Sequence, residues 1–194
     1  MGYPKIRPVY HRDAGLIGDK YVYIQEKIDG SQISFGKVDD KVWIRSKNAA
    51  IDLNEPNGMF KEGVDAILAR ANKMIEGFTY FGEYLKKPKH NTLSYERIPT
   101  DHIILFDVIF EDEHDNGGYL LPCEVKSVAD ALGFECVPEL GTTKFVHYDR
   151  CEGLFDTDSV LGGEKIEGMV FKQYEIVDHD GRMVFVKWVS DRFK

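Results

Sequence analysis

Tyr21-Val22-Tyr23-Ile24-Gln25-Glu26-Lys27-Ile28-Asp29-Gly30-Ser31 is the stretch on which the reading of this chain turns. Its first six residues are rich in β-branched and aromatic side chains and predict a strand. Asp29-Gly30-Ser31 then turns the chain into a second strand over residues 32–38. Asp39-Asp40 predicts a hairpin turn into a third strand over 42–46. A lysine at the end of a strand, just before a tight Asp-Gly turn, projects an amine from the rim of a sheet. Gly30 lets backbone come close to whatever lies opposite. The K-x-D-G tetrapeptide alone arises by chance in roughly one in twenty chains of this length, and its plain alternative is an exposed hairpin lysine. The rest of the chain has to decide.

Working outward, apolar residues recur at helical spacing over 59–76 (Val64, Ile67, Leu68, Ala71, Ile75), with Gly77 as the expected stop. Two further strands are expected over 78–85 and 102–110, the second nearly continuously apolar and so central to a sheet. Pro122–Leu132 suits a short helix, with Pro in its first turn and Gly133 after its end. A short strand over 136–140 follows. Segments 165–172 and 183–189 close the pattern as a hairpin around residues 178–181. Strands dominate and hairpin links are common, which predicts an α+β fold of mainly antiparallel sheets flanked by a few helices.

The 194 residues allow one domain with a substantial core, and no repeat or low-complexity linker divides them, so residues 1–194 read as a single domain. Hydrophobic residues make up 43% and charged residues 30%, a globular profile. No apolar run reaches the roughly 20 residues that span a bilayer, and no signal-peptide h-region opens the chain; the expectation is a cytoplasmic protein with no membrane partner. Cys123, Cys136 and Cys151 have no C-x-x-C spacing and read as reduced thiols rather than a disulfide framework or zinc knuckle. The net charge of −8 argues against nonspecific coating of nucleic acid. Charge is nonetheless uneven: Lys86, Lys87, Lys89 and His90 form a basic cluster and residues 111–115 an acidic one.

Five further elements accompany Lys27. Arg45-Ser46-Lys47 ends the third strand with two cations and a hydroxyl, a phosphate grip by chemistry. Glu83 is a carboxylate in the apolar run Phe81-Gly82-Glu83-Tyr84-Leu85, and an unpaired buried carboxylate is costly, so a partner is expected. Phe106, in Leu105-Phe106-Asp107-Val108, offers a ring for stacking or for core packing. Glu167 begins Glu167-Gly168-Met169-Val170-Phe171-Lys172, where period-two alternation groups Glu167 with Met169 and Phe171, and Gly168 with Val170 and Lys172. Val186-Lys187-Trp188-Val189 sets a lysine in a terminal apolar strand.

This ordered set resembles the covalent nucleotidyltransferase superfamily, which comprises ATP-dependent RNA ligases, DNA ligases and mRNA-capping guanylyltransferases. It is most similar to the phage-type RNA ligases that seal nicks in RNA duplexes. The resemblance implies a nucleotidyltransferase (ATP-grasp-like) adenylation domain, and it implies that Lys27 is the nucleophile that becomes lysyl-AMP. It places Glu26 and Ile28 against adenine through their main chain, Arg45 at the phosphate or RNA terminus, and Glu83 on the ribose. Phe106 would stack on adenine, Glu167 would help place Mg2+ or Mn2+, and Lys172 and Lys187 would face the phosphates. ATP is the implied cofactor, with AMP covalently held as intermediate, and RNA ends in a nicked duplex or paired strands are the implied partner. A DNA ligase, a capping domain and a non-catalytic nucleotide- or RNA-binding module are the alternatives.

Two departures from the family pattern stand out. The last motif usually carries two lysines separated by one residue, but here Val189 follows Lys187 at the second place, leaving Arg192 or Lys194 to substitute. No C-terminal OB-fold or helical domain is expected after that motif, so a separate domain or partner would have to replace it. A nucleophilic lysine also has a general requirement. With pKa about 10.4 a free amine is neutral in only roughly one molecule in 2,500 at pH 7, so desolvation or nearby positive charge has to favour the neutral form.

Overall fold

Period-two alternation of apolar and polar side chains forms the strands of this protein and sorts them into two sheets. The computed structural model describes residues 2–54, 58–111 and 117–193. Residues 112–115 of the acidic stretch and Lys194 lie outside the described residues. In chain order the strands are β1 (Arg7–Pro8), β2 (Tyr21–Glu26), β3 (Ser31–Val38), β4 (Lys41–Ser46), β5 (Phe78–Tyr84) and β6 (Ile103–Phe110). They continue as β7 (Gly118–Tyr119), β8 (Glu135–Cys136), β9 (Glu139–Lys144), β10 (Gly168–Lys172) and β11 (Val186–Val189). The α-helices are α1 (Lys61–Leu68) and α2 (Pro122–Leu132), with short 3-10 turns elsewhere. The fold is α+β with mainly antiparallel sheets.

By its contacts the chain divides into two compact units: Met1–Asp29 with Thr92–Glu96 and Val137–Lys194, and Gly30–Asn91 with Arg97–Cys136. The first unit holds a five-stranded sheet in the order β1-β11-β10-β2-β9, antiparallel except where β1 meets β11. Val22 and Ile24 of β2, Met169 and Phe171 of β10 and Val186 of β11 lie in one apolar cluster with Ile17, Phe145 and Ile166. The second unit is built on a sheet in the order β4-β3-β5-β6-β7, with β8 added parallel to β6. Its core takes Ile33 and Phe35 from β3, Ile44 from β4, Tyr80 and Tyr84 from β5 and Leu105 from β6, covered by Val64 and Ile67 of α1 and Val125 and Ala129 of α2.

Local chemistry explains most element ends. Asp39 and Asp40 have φ of 49° and 59°, the double left-handed geometry of the tightest hairpin turns. At the start of α2, Pro122 needs no intrahelical partner and the Glu124 carboxylate accepts from Leu121 N–H at 2.7 Å. Gly133 ends α2 at φ 79°.

Three expectations are corrected. The helix expected over 59–76 spans only Lys61–Leu68: Arg70 N–H bonds to Ile67 O, a three-residue step that tightens the last turn. The Arg70 guanidinium then donates to Ala66 O and, at 2.9 Å, to Leu132 O, tying the end of α1 to the end of α2. The strand expected over 136–140 is the junction of two strands in different sheets. Pro138 has no N–H to continue a ladder, and its carbonyl instead accepts from Glu26 N–H. The closing hairpin is antiparallel as expected, but its first strand starts only at Gly168.

Gly168 is where β10 and β11 come closest. A Cβ there would lie 2.4 Å from Trp188 O and 3.0 Å from Val189 Cα, both main chain. Gly168→Ala should therefore cost about 1–3 kcal/mol, seen as a lower urea midpoint by far-UV circular dichroism. Gly15→Ala, with nothing within 4 Å of the added carbon, should leave the midpoint unmoved. Equal midpoints for the two variants would contradict this account.

Candidate active site

Lys27 is the first residue beyond β2, and its N–H still donates to Gly168 O at 2.9 Å. The β2–β10 pairing thus runs one residue past the strand and sets Lys27 across from the start of β10. Lys27 Nζ lies 2.5 Å from Glu167 Oε2, with the two side chains 21% and 13% exposed. This is a short charge-assisted hydrogen bond between groups largely withdrawn from water. Glu167 is not among the apolar residues with which alternation had grouped it: Met169 and Phe171 enter the core, while Glu167, just before the strand, turns to Lys27.

The pairing registers fix what else shares the face of Lys27. Gln25 of β2 opposes Val170 of β10, and Val170 opposes Lys187 of β11. By the pleat, Gln25, Val170, Lys172 and Lys187 stand on the sheet face opposite the apolar core, together with Lys27. Lys172 is 1% exposed, with Nζ 5.8 Å from the centroid of the Phe185 ring. Lys187 is half-buried. One face of one sheet therefore carries three lysines and, at its rim, a carboxylate.

Glu26 turns the other way and is buried. Its carboxylate accepts from Ser159 Oγ at 2.5 Å and from Val160 N–H at 3.1 Å. Burial pushes its pKa above the usual carboxylate range, and the two hydrogen bonds partly offset this. Its main chain is committed to the sheet edge through Pro138 O. Ile28 is buried. Asp29 is fastened on both sides: its N–H donates to Tyr95 Oη at 2.8 Å, and its Oδ2 accepts from Thr92 N–H and Leu93 N–H. Tyr95 is itself buried, which raises its pKa. Ser159 and Tyr95 have no local sequence signal, since each acts across more than sixty residues.

In the second unit, Arg45 of β4 opposes Ser34 of β3, and Ser34 opposes Phe81 of β5. Phe106 of β6 is half-buried outside the core cluster and stacks on Phe81, with centroids 6.4 Å apart and planes at 29°. Glu83 alternates with the core residues of β5, so Arg45, Glu83 and Phe106 share the face turned away from that unit's core. Gly30 packs tightly on Glu83: a Cβ there would lie 2.9 Å from Glu83 Cβ and 3.0 Å from Glu83 Oε2. Of the basic cluster, Lys86 pairs with Glu62 at 3.6 Å and His90 bonds to Ser31 Oγ at 2.9 Å, while Lys87 and Lys89 are exposed.

At the last motif, Val189 opposes Gly168 and offers no charge, and Arg192 is held by Asp156 at 2.8 Å. For a divalent cation, Glu167 supplies a hard oxygen donor. Mg2+ typically takes only one or two carboxylates and completes its shell with water and phosphate oxygens, so this donor set fits. The grouping Asp178, His179 and Asp180 is an exposed turn in which the Asp178 carboxylate already accepts from Asp180 and Arg182 N–H.

Residues 20–189 match the family described as RNA ligase, and the chain belongs to that family. Among solved structures it is similar to the RNA ligase of Naegleria gruberi. A lysine-to-alanine variant of that protein with ATP and Mn gives a TM-score of 0.72 at 19% identity, covering 100% of this chain and 57% of that one. A glutamate-to-alanine variant with AMP and Mn gives 0.73 at 19% identity, with 100% and 57% covered. The form with PPi gives 0.69 at 18% identity, again with 100% and 57% covered. The chain thus spans somewhat over half the length of these structures. A search of curated protein sequences finds no match. Among the described residues no helix is long and apolar enough to cross a membrane.

The environment of Glu26 predicts a pH effect. A folded-state pKa raised by burial means that the group's contribution to stability is full below the ordinary value of 4.5 and is lost as pH rises through the raised one. The melting temperature of the wild type, relative to Glu26→Gln, should fall as pH climbs from 4.5 toward neutrality. A difference that stays flat or grows across that range would contradict the assignment.

Proposed function

We propose that this protein is an ATP-dependent RNA ligase, or its adenylation module, which transfers AMP from ATP to Lys27 and then to RNA ends. The observation that carries the reading is the Lys27–Glu167 contact at the head of a sheet face that also bears Lys172 and Lys187. A non-catalytic binder gains nothing from burying an amine against a carboxylate, because an ion pair withdrawn from water rarely adds net stability.

In the reaction, Lys27 Nζ attacks the α-phosphorus of ATP. A P–N bond forms, the P–O bond to the β-phosphate breaks, and pyrophosphate leaves with its electron pair. The amine must first lose a proton, and Glu167 Oε2, 2.5 Å away, is the acceptor it already faces. Lys172 and Lys187 balance charge on the phosphates, Lys172 most effectively because water is excluded around it. Glu167 would also be the residue to hold a divalent cation, Mg2+ or Mn2+, which would supply charge neutralisation at the phosphates. In the second unit, Arg45 serves the phosphate or RNA terminus, Glu83 the ribose and Phe106 the base. AMP then passes to a 5′-phosphate, and a 3′-hydroxyl displaces it to seal a nicked or paired RNA. The setting is cytoplasmic, and a separate domain or partner assists the transfer of AMP to RNA.

The test is incubation with radiolabelled ATP and magnesium or manganese, followed by denaturing electrophoresis. Label should stay on the polypeptide, vanish in Lys27→Ala and with EDTA, and drop by roughly two orders of magnitude in Glu167→Ala. Label from GTP instead of ATP would favour a capping activity, and sealing of DNA but not RNA nicks a DNA ligase. No covalent label, or label that persists in Lys27→Ala, overturns the proposal.

A further inference from the structure

We infer that Lys87 and Lys89, together with Lys47, grip the phosphodiester backbone of the RNA substrate beside the terminus that Arg45 meets. The inference rests on the RNA-joining reading above and assigns it a docking surface in the second unit. In that unit β3 begins at Ser31, opposite Tyr84 at the end of β5, and its Ile33 opposes Ser46 at the end of β4. Residues 45–47 and 86–90 therefore emerge at the same end of the sheet, two strand spacings or about 10 Å apart across it. Arg45, Lys47, Lys87 and Lys89 are all exposed, and among the described residues none of them pairs with a carboxylate. Other cations of the unit are neutralised: Lys37 by Asp40, Lys61 by Asp65, Arg70 by Asp101 and Lys86 by Glu62. In a chain of net charge −8, uncompensated cations gathered at one sheet end are a local attraction for a polyanion.

Both loops are formed in advance of any ligand. Lys86 N–H donates to His90 Nδ1 at 3.1 Å, which leaves Nε2–H to donate to Ser31 Oγ at 2.9 Å. Asn91 Nδ2 donates to Gly30 O at 2.8 Å, and the Lys86 ammonium donates to Gly58 O. Pro88, between the two lysines, fixes its own φ. Across the sheet, Ser46 N–H donates to Ala49 O at 2.9 Å and Ala49 N–H to Ser46 Oγ at 3.2 Å, a tight turn that presents Lys47. With the backbone already fixed, binding costs little beyond side-chain entropy. The chemistry points to phosphate rather than base. Lysine is a point charge on a flexible stem, and among the described residues neither loop offers an exposed aromatic ring on which a base could stack. Such a surface positions a strand without reading its sequence.

The test is the affinity of the full chain for a nicked RNA duplex, read by fluorescence anisotropy over a range of KCl concentrations without ATP. Lys87→Ala/Lys89→Ala is compared with Lys41→Ala/Lys73→Ala, a charge-matched pair of exposed lysines elsewhere in the unit, with Lys41 at the opposite end of the sheet. The first variant should bind roughly tenfold more weakly at moderate salt, and the slope of log K against log[KCl] should shrink by about one for each lysine lost. Adding Lys47→Ala should shrink it by about one more. The loss should be the same for two duplexes of unrelated sequence. The control pair should match wild type, and adenylation of Lys27 measured without RNA should be unchanged in both pairs. If the first variant does not fold, Lys87→Gln/Lys89→Gln reads the same slope. Equal losses in the two pairs, an unchanged slope, or failure of RNA-free adenylation in the first variant overturns the inference. Wild type that forms the adduct but does not bind RNA also overturns it, whereas wild type that binds RNA and never forms the adduct sinks the functional reading instead.

Discussion

The antiparallel pairing of β2 with β10 is the constraint on which the rest depends. It places Met169 opposite Glu26 and Val170 opposite Gln25, and it continues through Lys27 N–H to Gly168 O. A slip of β2 by one residue would reverse its side chains, sending Gln25 and Lys27 toward the apolar cluster and Val22 and Ile24 out of it. The register is held by that hydrophobic penalty and by Gly168, whose missing side chain lets the main chain of β11 approach from the other side. The placement of Lys27 is thus secured by packing on the opposite face.

The sheet also holds an unusual load of buried charge. Lys172 and Glu26 are both nearly inaccessible to water, and neither position would tolerate an isolated ion. Glu26 is met by a hydroxyl and a main-chain N–H, which lower the cost of its burial without removing it. That arrangement leaves its main chain to the sheet edge and its side chain to the segment around Ser159. Asp29 is treated similarly: a phenol oxygen and two amides fix both its backbone and its carboxylate. The residues either side of Lys27 are therefore held through different partners, which narrows the directions open to its amine.

Elements with strong local patterning were legible in the sequence. β2 and α2 have the bounds that alternation and the Pro-Gly punctuation imply, and the Asp39-Asp40 turn lies where it was expected. Where nonlocal contacts set the outcome, reading failed. The end of α1 is decided by Arg70 reaching Leu132 O, and β1 is two residues including a proline, held in the sheet by β11. At the site, Lys27 and Glu167 stood out by type and motif, but their mutual contact did not, and alternation put Glu167 on the wrong face because the strand had not yet begun. Tyr95 and Ser159 were invisible for a related reason. Their meaning lies in what they touch, and no periodicity encodes that.

The 140 residues between Lys27 and Glu167 have a consequence during translation. The unit built from Gly30–Asn91 and Arg97–Cys136 has all its strands once Cys136 leaves the ribosome, and it can condense while the remainder is still being made. β2, by contrast, waits for β10 and β11, which are made well after it. A nascent polypeptide therefore lacks the Lys27–Glu167 contact until β10 has been made. Closure of so long a loop is a slow, entropically costly step on the way to the fold.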